Sequence, residues 1–112
     1  MEDIAAPQCF YIEDTLKQLL DIPVFHDDQH GTAIVVLAGL LNALKITHRN
    51  INTAKIVIAG AGAAGLAVAN LLRLAGATHI IITDSKGSLY DGREVMNSYK
   101  QALVPLNRDN YQ

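Results

Sequence analysis

The run Gly60-Ala61-Gly62-Ala63-Ala64-Gly65 spaces three glycines as G-x-G-x-x-G, and Asp84 follows 24 residues after the first of them. Each position has a physical use in holding a dinucleotide. Gly60 permits a tight turn out of a strand. Gly62 has no side chain, so backbone can approach a pyrophosphate, and Gly65 lets the next helix lie close to the strand. The helix start, with Ala61, Ala63 and Ala64 between the glycines, offers unpaired N–H groups and a positive dipole end to phosphates. An acid about 20 residues on is placed to accept hydrogen bonds from a ribose. Asp84 thereby favours NAD, since a carboxylate repels the additional phosphate of NADP. Ser85 and Lys86 follow it, and the Lys86 charge offsets that preference. A tight turn that binds nothing is the plainer alternative, and the strand–turn–helix–strand–acid order weighs against it.

Glu2, Asp3, Asp27 and Asp28 form a second constellation. Paired carboxylates supply the hard oxygen ligands that magnesium or manganese takes. Acids in loops are also commonly just solvated, and spacing leaves both readings open. His26 and His30 flank the second pair. Two histidines without a third ligand nearby make a poor zinc site, so they are expected to orient the loop by hydrogen bonding. Thr32 stands where it caps or begins the next helix. Cys9, beside Phe10, reads as a small packed hydrophobe.

These residues need elements to hold them. Residues 9–20 place Phe10, Ile12, Leu16, Leu19 and Leu20 at roughly helical spacing, with Glu13, Asp14, Lys17 and Gln18 on the polar side. Residues 21–25 (DIPVF) read as an edge or terminal strand because of Pro23, and 26–31 as a polar loop. Residues 32–46 are apolar on most faces, which predicts a largely buried helix. Residues 55–59 (KIVIA) read as a strand covered on both faces. A helix over 66–74 ends at Gly76, and 79–83 (HIIIT) form a second buried strand. Residues 85–92 read as a loop, 93–103 as a helix and 104–112 as a frayed tail. The alternation predicts an α/β fold. It would be a partial doubly wound parallel sheet around a Rossmann-like βαβ unit, with an α/β segment before it.

With 112 residues the chain has room for one small domain. It is 50% hydrophobic and 18% charged, which excludes a disordered or fibrous class. A net charge of −2 gives no basic field for nucleic acid or anionic lipid. The lone Cys9 makes no internal disulfide, which fits a reducing, cytoplasmic compartment. The start Met1-Glu2-Asp3 lacks the basic residues of a signal peptide. The apolar stretch 32–44 is broken by Gly39 and Asn42 and is expected to be too short to span a membrane.

Longer stretches carry a resemblance. Residues 22–45 (IPVFHDDQHGTAIVVLAGLLNALK) strongly resemble the malic enzymes, most nearly the shorter bacterial type. So do Glu2-Asp3-Ile4 with Ala6-Pro7 and Cys9-Phe10, and residues 58–65 followed by Asp84-Ser85-Lys86-Gly87. The resemblance implies oxidation of L-malate with NAD or NADP and decarboxylation to pyruvate and CO2, assisted by Mg²⁺ or Mn²⁺. By it, Glu2, Asp3 and Asp28 match metal-ligating carboxylates. Asp27 matches the acid that holds a catalytic lysine, and Thr32 a position near the cofactor. Gly60 to Gly65 and Asp84 match the cofactor fingerprint. It also implies two regions. Residues 1–31 end an upstream substrate and metal segment, and 32–112 begin the NAD(P)-binding domain.

The departures are equally specific. Members of the family are several times longer. Their general-base lysine and general-acid tyrosine lie upstream, and Lys17, Lys45, Tyr11 and Tyr90 do not sit in those motifs. The expectation is a piece of the enzyme, inactive alone, that self-associates as a homo-oligomer through uncovered apolar surface. The alternative is a dinucleotide-binding or assembly module without catalysis. Amino-acid dehydrogenases and methylene-tetrahydrofolate dehydrogenases are disfavoured by HDDQHGTA, residues 26–33.

Overall fold

A computed structural model describes residues 1–94, 96–107 and 109–110. Helix α1 is Gln8–Leu19, and a π-helical turn at Asp27–Gly31 runs directly into α2, Thr32–Ile46. Strand β1 (Ile56–Ala59), helix α3 (Ala63–Leu74) and strand β2 (Ile80–Asp84) follow. A short strand β3 (Gly87–Ser88), helix α4 (Ser98–Gln101) and a 3₁₀ turn at Val104–Leu106 complete the described chain.

The βαβ unit forms as its sequence dictates. β1 and β2 pair in parallel, with Ile56 opposite Ile80 and Ala59 opposite Thr83. Their β-branched residues suit a pleated, packed surface. Gly76 ends α3 with φ +104. Its N–H donates to the Arg73 carbonyl at 3.0 Å and the Ala77 N–H to the Leu72 carbonyl at 2.9 Å, so two orphan carbonyls are satisfied. His48, φ +52, closes α2 in the same way through the Arg49 N–H and the Leu44 carbonyl at 2.9 Å. Leu66, Val68, Ala69 and Leu72 of α3 pack with Ile80 and Ile82 of β2, and Cys9 and Phe10 of α1 join this core. Cys9 is a fully buried packed residue, as expected.

Several expectations are corrected. The sheet is mixed rather than parallel throughout, because β3 returns antiparallel to β2 with Thr83 opposite Ser88. Gly87, φ +103, supplies the left-handed backbone for that reversal, so residues 85–92 are not simply a loop. Residues 21–25 form no strand. Their partner is short: the Met1 amino group donates to the Phe25 carbonyl at 2.7 Å, and the Asp27 N–H donates to the Met1 carbonyl at 3.0 Å. That is the pattern of one parallel bridge, not a ladder. The expected helix over 93–103 is confined to α4, with Asn97 capping it through the Lys100 N–H at 2.9 Å; residue 95 and the tail residues 108, 111 and 112 lie outside the described set.

β1 is covered on one face, since Val57 is 66% exposed. α2 is not largely buried: Ala33 and Leu44 are, while Ile34, Val35, Val36, Leu41 and Ile46 are exposed. Counted with the π turn, the helical stretch Asp27–Ile46 is 20 residues long. By length and composition that is enough to cross a membrane, contrary to the estimate from residues 32–44. On α1 the buried residues are Cys9, Phe10 and Glu13, while Leu19 and Leu20 are exposed. Glu13 therefore leaves the polar side assigned to it: its carboxylate is buried, and the more exposed His30 and Lys17 side chains reach it from the surface.

Candidate functional site

The glycine turn is shaped by backbone packing. Gly60 has φ +121, a conformation side chains rarely adopt. A Cβ on Gly65 would overlap the Gly60 carbonyl oxygen, so the start of α3 lies directly on the turn. Around Gly62 nothing lies within 4 Å of where a Cβ would be, and the residue is exposed. No side chain caps α3, and its first intrahelical bond runs from the Leu66 N–H to the Gly62 carbonyl at 3.0 Å. The preceding N–H groups of Ala63, Ala64 and Gly65 are the ones a helix leaves for an anion. Ala61 is buried beneath them.

Asp84 ends β2, beside the turn, because Ala59 pairs with Thr83 and the Gly60 N–H donates to the Thr83 carbonyl at 2.9 Å. Its carboxylate is already engaged. Oδ2 accepts from Lys100 Nζ at 2.8 Å, and Oδ1 from Arg93 at 2.7 Å and from the Lys86 N–H at 2.9 Å. The Lys100 ammonium, with Arg93 and the Lys86 amide, holds this carboxyl far below the ordinary carboxylate range, against burial that would raise it. Arg93 also donates to the Ser88 carbonyl at 3.0 Å, so β3 fixes the guanidinium. Sequence reading missed Arg93 and Lys100. The available signal was a basic residue 9 and another 16 positions after the acid, which means nothing until β3 and α4 fold back. Ser85 and the Lys86 side chain are exposed at the same strand end.

The acidic constellation is arranged differently. The π turn places Asp27 at the surface and Asp28 at intermediate depth. Asp28 Oδ2 accepts the Asp3 N–H at 2.8 Å and faces Nε2 of the fully buried His26 at 3.2 Å. His26 Nδ1 lies 3.0 Å from Gln29 Oε1, and His30 Nε2 lies 2.9 Å from Glu13 Oε1. Both histidines thus hold the turn by polar contacts. A Cβ on Gly31 would overlap Asp27 Oδ1, which explains a glycine there. Burial raises the Glu13 pKa, but hydrogen bonds from His30 and Lys17 outweigh it and hold the carboxyl below its ordinary value. Glu2 and Asp3 are exposed, and among the described residues no three His, Cys, Asp or Glu side chains gather to hold a metal ion. The donor types suit a hard cation, but the arrangement does not. Thr32 is the exposed first residue of α2. A cavity of about 600 Å³, lined by Phe10, Glu13, His30, Leu66 and Tyr99 among others, includes neither the glycine turn nor Asp84.

A glycine turn on a helix start, between parallel strands and beside a strand-end acid, defines an α/β unit of the dinucleotide-binding class. The family described as "Malic enzyme, NAD binding domain" matches residues 29–111. The chain belongs to that family. The bifunctional malic/malolactic enzyme of Bacillus subtilis is 57% identical over 111 residues, which are 97% of this chain and 27% of that protein. The NADP-dependent malic enzyme of Rhizobium meliloti is 53% identical over 105 residues, 91% of this chain and 14% of that one. Among solved structures, the NAD-dependent malic enzyme of Thermotoga maritima aligns with a TM-score of 0.92 at 41% identity. That alignment covers 98% of this chain and 30% of its counterpart. The chain thus spans less than a third of the length of each of these relatives.

Proposed function

We propose that this chain forms the cofactor-holding part of an enzyme that oxidises L-malate with NAD or NADP and releases pyruvate and CO2. The observation that carries the reading is the glycine turn: Gly65 packed on the Gly60 carbonyl leaves the α3 N–H groups open beside Gly62. In this reading residues 60–65 bind the pyrophosphate, and Asp84, Ser85 and Lys86 face the adenosine ribose. Residues 32–112 would start a doubly wound NAD(P) domain, and residues 1–31 would end the substrate segment. Asp27, exposed on the π turn, would await a lysine from outside this chain.

Either cofactor fits this site. The Asp84 charge is already met by Lys100 and Arg93, so its repulsion of a 2′-phosphate is weakened. Its oxygens are also occupied, so its pull on a free ribose hydroxyl is reduced. A Mg²⁺ or Mn²⁺ ion belongs to the whole-enzyme reading, with Glu2, Asp3 and Asp28 as its ligands by resemblance. In this chain those carboxylates do not gather round one point. The uncovered apolar face of α2 is proposed to meet protein, a second copy included, in the cytoplasm and not in a bilayer.

Calorimetric titration with NAD⁺ and NADP⁺ tests the cofactor reading. Binding that Gly62→Asp abolishes supports it, and no heat with either cofactor sinks it. Reduction of cofactor by malate is then assayed in the full-length protein. Cofactor binding without turnover there would favour the non-catalytic module. Gel filtration that gives a clean monomer at high concentration would refute self-association.

A further inference from the structure

We infer that Asp28 in this chain anchors residues 1–3 and is not one arm of an assembled divalent-cation site. Three hydrogen bonds lay the N-terminal residues along residues 25–28. Two bracket the bridge between Met1 and His26: Met1 amino to Phe25 carbonyl at 2.7 Å, and Asp27 N–H to Met1 carbonyl at 3.0 Å. The third runs from the Asp3 N–H to Asp28 Oδ2 at 2.8 Å. A charged acceptor makes that bond stronger than the neutral one from the Asp27 N–H to the Met1 carbonyl.

Two further observations place the anchor at Asp28. Asp3 has φ +54, a left-handed backbone that a non-glycine residue keeps where its surroundings fix it. The bond from its own N–H to Asp28 is such a fixture. The same Oδ2 lies 3.2 Å from Nε2 of His26, whose ring is fully buried and so bounds the carboxylate on one side. A hard cation needs several oxygens converging on one point. Glu2 and Asp3 are exposed, and no three candidate ligands gather among the described residues. The Asp28 oxygen that accepts the Asp3 amide is thus committed to the main chain, with no second and third carboxylate gathered beside it among the described residues. The inference is independent of the malate and cofactor readings.

Two measurements on the 112-residue chain test it. Mn²⁺ is titrated into the chain and into Asp28→Ala and Asp28→Asn, with free Mn²⁺ read from its paramagnetic resonance signal. Hydrogen exchange at the Asp3 amide is followed by NMR in metal-free buffer. The expected Mn²⁺ dissociation constant is roughly 10⁻³ M or weaker, and it changes less than about twofold in either variant. Asp28→Ala speeds exchange at Asp3 roughly 10- to 100-fold, and Asp28→Asn, which keeps an acceptor oxygen, recovers part of the protection. Should Asp28→Ala melt below the assay temperature, faster Asp3 exchange in Asp28→Asn carries the same test. Mn²⁺ binding at roughly 10⁻⁵ M or tighter that Asp28→Ala abolishes would overturn the inference. So would Asp3 exchange that neither substitution alters.

Discussion

Two turns in this chain do the same job with different materials. Residues 60–65 lead into α3 and residues 27–31 lead into α2, and each is pinned by a glycine with no room for a Cβ. At Gly65 the obstructing atom is the backbone carbonyl of Gly60, and at Gly31 it is the carboxylate of Asp27. Beside each turn a carboxylate is paired with two basic groups: Asp84 with Arg93 and Lys100, Glu13 with His30 and Lys17. Backbone contacts fix the first turn rigidly and leave the start of α3 without a side-chain cap. Side chains hold the second in a form that exposes Asp27 and turns Asp28 toward the N-terminal segment.

The contrast predicts a hierarchy. Gly65→Ala should be the most damaging, at more than about 3 kcal/mol, because a main-chain oxygen cannot step aside. Thermal melting measures it, and a loss under 1 kcal/mol would mean that the first turn is as pliable as the second. Asp84→Asn should cost roughly 2–3 kcal/mol by leaving two mostly buried cations short of a counter-charge. A urea midpoint equal to that of the unsubstituted chain would remove Asp84 from the structural account.

Acid titration compares the two pairs directly. Both folded carboxyls sit below their ordinary values, 3.8 for Asp84 and 4.5 for Glu13. Each stabilising contribution is therefore complete above that value and is lost as pH falls through the lowered one. Stability should hold from pH 7 to about 4.5 and decline below it. Glu13→Gln, at about 1–2 kcal/mol, should flatten part of that decline, and Asp84→Asn should flatten the more acidic part. An unchanged acid profile in both variants would show that other carboxylates govern it. Gly31→Ala should be the mildest, about 1 kcal/mol, since the Asp27 side chain can rotate away. A cost equal to that of Gly65→Ala would erase the distinction between the turns.

The same contrast explains what could be read from the sequence. β1, the glycine turn, α3 and β2 are contiguous, and each follows from local rules: β-branched strands, glycines at fixed offsets, a glycine cap. Glu13 looked like one more surface acid because helical periodicity records where apolar residues lie, not which polar residue meets a histidine 17 positions on. β3 was hidden in two residues, Gly87 and Ser88, too few for any alternation to show. α2 was expected inside because its composition is apolar, but composition says which residues favour burial, not whether enough neighbouring chain is present to bury them. The second turn depends on residues 1, 3, 13 and 25–30 meeting in space, and spacing along the chain does not encode that meeting.

β1 is the outer strand of the described sheet, which runs β1–β2–β3. Its free edge is formed by Ile56, Val57, Ile58 and Ala59, four residues without a charge or a proline to discourage another strand from adding on. Such an edge is a template for growth. Storage of the purified chain at high concentration would then be limited by the kinetics of edge-to-edge fibre nucleation and not by how firmly each molecule is folded, and one lysine at Val57 would lengthen it.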